Sequence, residues 1–239
     1  MALTYLLLNI GTIGSTMALS FDRKVAFFRQ WGALFPAIAI VGAVFIVWDI
    51  WFARMGVWSF NYDYLTGWSL IGLPVEEWMF FVTVPYACVF VYACIKAYLP
   101  GDFSGRINQW VSYAILSISV LLGIIHLDKW YTSTTFLMLA ILMAINIWII
   151  KPSYIGRFFV SYAICLIPFL LVNGILTSLP VVVYNDMENL GIRLGSIPVE
   201  DTAYGFILQL ANVNIFEFLL SPRGEQAHAR IISDSEQTD

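Results

Sequence analysis

Residues 73–97 read Leu73-Pro74-Val75-Glu76-Glu77-Trp78-Met79-Phe80-Phe81-Val82-Thr83-Val84-Pro85-Tyr86-Ala87-Cys88-Val89-Phe90-Val91-Tyr92-Ala93-Cys94-Ile95-Lys96-Ala97. Two acids open the stretch, and no further charge appears until Lys96. A helix crossing the hydrocarbon of a bilayer needs about 20 apolar residues, and this run supplies them. Proline at a first helical turn loses nothing, because that N–H has no partner anyway. Acids in the same turn favour the helix dipole. The stretch therefore predicts a transmembrane helix that starts at the Pro-Val-Glu-Glu motif.

The rest of the chain extends this pattern. Of its 239 residues 60% are hydrophobic and 12% charged, and the mean hydropathy is +0.79. Soluble domains are about half apolar and about a quarter charged, so one soluble core does not account for this composition. Apolar runs fall at 2–19, 32–53, 75–97, 108–126, 132–150, 155–177 and 198–220. Seven spans consume about 140 residues and leave room only for short loops. Barrel strands would be ~10 residues long and alternate strictly, which these runs do not. The first run has no basic segment before it and no A-x-A cleavage site, so it reads as a span rather than a signal peptide. The expected fold is an all-α integral membrane protein of about seven transmembrane helices.

Lysine and arginine sort by side. Arg23, Lys24, Arg29, Lys96, Arg106, Lys151, Arg157, Arg223 and Arg230 share one side of a seven-span chain, against Arg54, Lys129 and Arg193 on the other. The positive-inside rule then puts the N-terminus outside and the C-terminus in the cytoplasm, in the cell membrane. Residues 222–239 read as a polar cytoplasmic tail. The net charge of −4 argues against a nucleic-acid partner. Cys88, Cys94 and Cys165 lie in apolar runs and His126 and His228 stand apart, so no metal site is expected.

A repeat runs through the chain. Leu73-Pro74-Val75-Glu76-Glu77 matches Ile197-Pro198-Val199-Glu200-Asp201, 124 positions later. At the same offset Asp49 falls on Asn173, Val57 on Val181, Asn61 on Asn185, Gly67 on Gly191 and Leu70 on Leu194, without a gap. Two parallel three-helix repeats, 1–100 and 130–221, joined by a linking helix over 101–129, are expected. Parallel repeats of this kind place a site at their interface.

Glu76, Glu77, Glu200, Asp201 and Asp49 are the candidate catalytic residues. A single Pro-Val-Glu-Glu is also just a good helix start at the interface, but two copies at one membrane level, with Asp49, point further. Ionisable groups in spans are expensive and mark function. Successive helical positions diverge by about 100°. One acid of each doublet is therefore expected to face a cavity and the other to serve the helix start, with the choice left open. Trp48, Trp78, Phe81 and Tyr204 stand near the acids as candidate substrate contacts, against an ordinary aromatic belt. Asn173 joins them as the counterpart of Asp49. The other in-span amides, Asn146, Asn212 and Asn214, read as interhelical hydrogen-bonders, and Glu217 as an interfacial acid.

Trp48-Asp49, Gly56-x-Trp58-x-Phe60-Asn61 and Leu73-Pro74-Val75-Glu76-Glu77-x-x-Phe80-Phe81 resemble the first half of the heteromeric-type lycopene cyclases. Gly191-Ile192-Arg193-x-Gly195-x-Ile197-Pro198-Val199-Glu200-Asp201, followed by Tyr204, resembles the second half. In that family the halves occur as two small proteins or as one fused chain, and this chain resembles the fused form. The resemblance implies a membrane enzyme that turns the acyclic ends of lycopene into β-rings, giving β-carotene, with membrane lipid and neighbouring carotenoid-pathway enzymes around it. The implied chemistry is non-redox: an acid protonates the terminal double bond, a neighbouring double bond closes the ring on the cation, and a base removes a proton. That needs an acid, a base, a dry apolar site and cation-stabilising walls. Amide replacement at Glu76 or Glu200 is expected to lower turnover without loss of membrane insertion. No motif supports flavin or nicotinamide, since Gly11-Thr12-Ile13-Gly14 lacks a strand–helix context.

Two other functions remain open, and a third fails because no lysine lies in the last span. A retinal protein needs a Schiff-base lysine in its last span, and the lysines are Lys24, Lys96, Lys129 and Lys151. A small proton-coupled transporter would use the acids as a relay. A hydratase or a long-chain carotenoid cyclase is the nearest alternative, separated by its products.

Overall fold

The computed structural model describes residues 3–99 and 105–221. Seven helices follow in order: α1 (Thr4–Leu19), α2 (Trp31–Met55), α3 (Val75–Tyr98), α4 (Arg106–Ile125), α5 (Trp130–Ile145), α6 (Ile155–Ser178) and α7 (Val199–Leu220). A tight turn over Phe27–Gln30 leads into α2, and a wider one over Asn146–Ile150 extends α5. Six of these segments are long and apolar enough to cross a membrane. The protein is an all-α, multi-pass membrane protein. Of the seven expected spans the first is short: 16 residues reach about 24 Å. The expected tail over 222–239 lies outside the described residues, as does the junction near residue 100.

The repeat seen in the sequence is a repeat in space. Strands β2 (Ser69–Leu70) and β3 (Leu73–Pro74) make a hairpin before α3, and β5 (Arg193–Leu194) and β6 (Ile197–Pro198) make its copy before α7, 124 residues on. Gly67 and Gly191 both sit in the left-handed region, at φ 86° and 71°, which explains why glycine recurs there. Between the hairpins, β1 (Trp58–Phe60) pairs antiparallel with β4 (Val182–Tyr184). Ser59 faces Val183, its own counterpart, so a pseudo-two-fold axis passes through this pair. The flanking bonds obey the same symmetry: Asn61 N–H donates to Val181 O and Asn185 N–H to Val57 O, both at 2.9 Å.

The halves do not stand side by side. Within each, α1 packs on α3 and α5 on α7, but α2 lies against α7 and α6 against α3. Each half thus lends its middle helix to the other, and the buried core runs continuously through both. Helix α4 packs on α5 and leaves most of its apolar surface outward. In a bilayer that surface is solvated by lipid.

Of the four in-span amides named from the sequence, Asn214 bridges elements, accepting from the Tyr154 hydroxyl at 3.0 Å. Asn146, Asn173 and Asn212 instead donate to carbonyls four residues back in their own helices. A short side chain in a spanning helix finds that carbonyl within reach before any neighbouring helix. Glu217 is held at the far end by Lys96 at 2.6 Å and Tyr92 at 2.7 Å, an interfacial ion pair remote from the doublets.

Candidate active site

Each doublet divides its labour at the first turn of its helix. Glu76 Oε1 accepts Thr66 N–H at 2.6 Å, and Glu200 Oε1 accepts Leu190 N–H at 2.7 Å. These are the same bond in the two halves, clipping the loop back onto the helix start. Thr132 Oγ1 on α5 adds a second donor to Glu200 at 2.7 Å. Asn9 on α1 donates to the Glu76 carbonyl at 3.0 Å and accepts from Thr83 at 2.6 Å. Glu77 and Asp201, about 100° further round, turn the other way.

Both line one cavity of about 240 Å³, together with Asp49. Asp49 arrives from the last turns of α2, so three helices and both halves deliver a carboxyl to one place. All three are buried. Each is met by aromatic donors. Tyr5 donates to Glu77 Oε2 at 2.6 Å. The Trp58 indole donates to Asp49 Oδ1 at 2.5 Å. Tyr131 and Tyr184 donate to the two oxygens of Asp201, at 2.5 and 2.8 Å. Burial, then the neighbouring Asp201 charge, pushes the Tyr184 hydroxyl well above its ordinary range, so it stays a donor. Trp58 and Tyr184 come from the paired strands β1 and β4, which therefore hold carboxyls from both halves.

The cavity continues away from the acids as an apolar arm. On α3 its lining runs from Glu77 to Val91, about 21 Å along the helix. On α6 it runs from Tyr162 to Leu176, past Cys165, Phe169 and Val172. Ser15 on α1 and Pro168 on α6 line it and are exposed, so the arm opens sideways between α1 and α6, toward lipid.

Among the residues singled out from sequence, Asp49, Glu77, Asp201, Asn173 and Tyr204 line this cavity. Glu76, Glu200, Trp48, Trp78 and Phe81 do not. Trp78 points back to the hairpin, donating to Leu70 O at 3.2 Å. Trp48 stands behind Tyr204, with ring centroids 5.1 Å apart. Phe81 packs on Phe45 at 6.1 Å. Nearness along the chain ranked these rings, whereas helix phase decides which of them face inward. Tyr5, Tyr131 and Tyr184 went unnoticed as partners. Tyr5 and Tyr131 are each the second residue of their helix, but they stand 126 rather than 124 positions apart. A two-residue gap in the comparison reveals them.

The comparisons with known proteins agree with this duplicated layout. Residues 2–95 and 128–219 match the model of the lycopene cyclase family, in two tandem segments. The chain belongs to the lycopene cyclase family. No curated protein and no solved structure matches it. As a lycopene cyclase it is an enzyme of carotenoid biosynthesis with a carotenoid substrate in a membrane setting. The unmatched stretch contains α4, the helix that contributes nothing to the cavity lining.

Proposed function

We propose that this lycopene cyclase closes β-rings on the ends of lycopene by proton addition, cation cyclisation and proton loss, giving β-carotene. The observation that carries this reading is the convergence of Asp49, Glu77 and Asp201 at the inner end of one apolar arm. Asp49 and Glu77 lie within electrostatic reach of each other. Two carboxyls so placed in a dry site cannot comfortably both ionise, so one of the two carries the catalytic proton. Each keeps one oxygen free of the donors Trp58 and Tyr5. Asp201 receives a hydroxyl on both oxygens, which suits an acceptor-only carboxylate. It is the base.

The proton adds to the terminal double bond and leaves a tertiary cation. The neighbouring double bond attacks, forming the ring bond and moving the cation into the ring. Asp201 then takes the proton from the ring carbon that leaves the double bond in the β position. One proton enters and one leaves, so these steps call on no flavin or nicotinamide. Trp58, Phe60, Phe80 and Tyr204 line the acid end, where aromatic faces stabilise the cation. The arm accepts the polyene from the bilayer. Enzymes that make lycopene or use its product are reached by diffusion in the same membrane. The distribution of lysine and arginine orients the acid end outward in the cytoplasmic membrane and the C-terminus inward.

Expression in a host that accumulates lycopene tests this. β-Carotene with a one-ring intermediate is the expected product. Wild-type cyclisation by the variant with amides at Glu76, Glu77, Glu200 and Asp201 would sink the acid–base assignment. A hydrated product would indicate a hydratase, and solute uptake with unchanged carotenoids a transporter.

A further inference from the structure

The pseudo-two-fold axis predicts two arms, one between α3 and α6 and a mate between α7 and α2. Only the first is open among the described residues. Three equivalent positions account for the difference, each 124 residues apart. Val172 lines the open arm, and Trp48 takes its place in the mate. Leu176 is matched by Phe52, and Gly205 by Phe81. Trp48, Phe52 and Phe81 are all buried, at 8%, 0% and 1% exposure. With Phe45 they fill the mate as a run of tilted and edge-on ring contacts: Trp48 lies 5.8 Å from Phe52 and 5.5 Å from Phe45, which reaches Phe81 at 6.1 Å. On α2 itself a small residue lets the Phe81 backbone come close. Gly42 stands where the other half has Leu166, and a Cβ there would lie 3.7 Å from the Phe81 carbonyl. Gly205 and Phe169 both line the open arm, and a Cβ at Gly205 would already touch the Phe169 ring at 3.5 Å, so a large side chain there would crowd it.

We propose that this tandem chain has one polyene chamber rather than two, kept open by Val172, Leu176 and Gly205 and closed in the mate by Trp48, Phe52 and Phe81. The carboxyls at the axis come from both halves, but the substrate enters from one side only. The two ends of one polyene are therefore processed in separate binding events, and the one-ring intermediate leaves the chamber between them. The proposal rests on the carotenoid-binding part of the reading above and not on its proton chemistry.

Lycopene is the probe, supplied to the purified protein in lipid nanodiscs, and all retained carotenoid is counted per chain. One carotenoid per chain is expected for the wild type. Val172→Trp, which copies the plug into the open arm, is expected to retain none and to lose cyclisation while keeping the wild-type melting temperature. Trp48→Phe leaves the mate filled and is expected to keep one. Two carotenoids per wild-type chain would overturn the proposal, as would full retention and turnover in Val172→Trp. Gly205→Leu is the milder closure, judged by the same counts, and the wild-type count decides even if both variants misfold. Retention that depends on Val172 without any β-ring would refute the cyclase chemistry and leave the single chamber standing. β-Ring formation by folded Val172→Trp would do the reverse.

Discussion

Asp201 takes two tyrosine hydroxyls on one carboxyl, whereas Glu77 takes one. This inequality, with Asp49 matched by Asn173, is what the proposed division into base and acid rests on. It makes amide replacement at Glu77 or Asp201 severe: cyclisation is expected to fall about 10²-fold or more, the usual contribution of a positioned acid or base, measured as product per mole of folded enzyme. Glu76 and Glu200 behave differently. Each ties a loop N–H, and glutamine keeps an oxygen to accept it. Glu200→Gln is therefore expected to retain most activity, contrary to what the sequence suggests. Glu200→Ala strands the Leu190 N–H and the Thr132 hydroxyl, and should cost about 1–3 kcal/mol for each buried group left unpaired. Thermal unfolding in detergent compares the two variants, and equal loss would refute the clip.

At the scale of elements, the strand pair β1–β4 and the two hairpins act as a frame that aims side chains. Trp58 on β1 is the one donor hydrogen-bonded to Asp49 among the described contacts. Trp58→Phe keeps the ring and removes the N–H, so a fall in turnover with little change in melting temperature is expected. The loop between β4 and β5 is pinned by Arg193, which reaches Asp186 at 2.5 Å and the Ser196 carbonyl at 2.7 Å. The Arg193 hydrogen bond, helped by Asn189, holds the Asp186 carboxyl below the usual aspartate range. Its stabilising contribution is therefore complete above the unfolded aspartate value and lost as pH falls through the lowered folded one. The Asp186 side chain is largely exposed, so Asp186→Asn should cost at most about 1 kcal/mol near neutral pH and nothing in strong acid. Melting curves against pH check the sign. A larger effect in acid would contradict it.

For the whole molecule, the exchange of middle helices sets the behaviour. Because α2 lies on α7 and α6 on α3, each half buries a large part of its apolar surface only against the other. A chain cut between α3 and α4 should yield two inactive pieces that regain cyclisation on co-expression, read as β-ring product in a lycopene-accumulating host. Activity from either piece alone would contradict the crossed packing. Helix α4 serves as a tether in this scheme, since it lines none of the cavity.

The membrane fold, the span positions and the twin motif were legible in the sequence, because hydropathy over about 20 residues and a gap-free offset are local, periodic properties. Asp49, Glu77 and Asp201 were named there as well, but alongside Glu76 and Glu200, which stand one residue away and serve the loops. That choice depends on helix phase relative to neighbouring helices, a 100° matter that adjacency does not encode. Tyr5 and Tyr131 were hidden by a two-residue gap, and the roles of Trp48 and Phe81 by their nearness to the acids. Whether an arm is open or filled depends on side-chain volumes summed across α2, α3, α6 and α7. Those volumes meet only after the chain has folded.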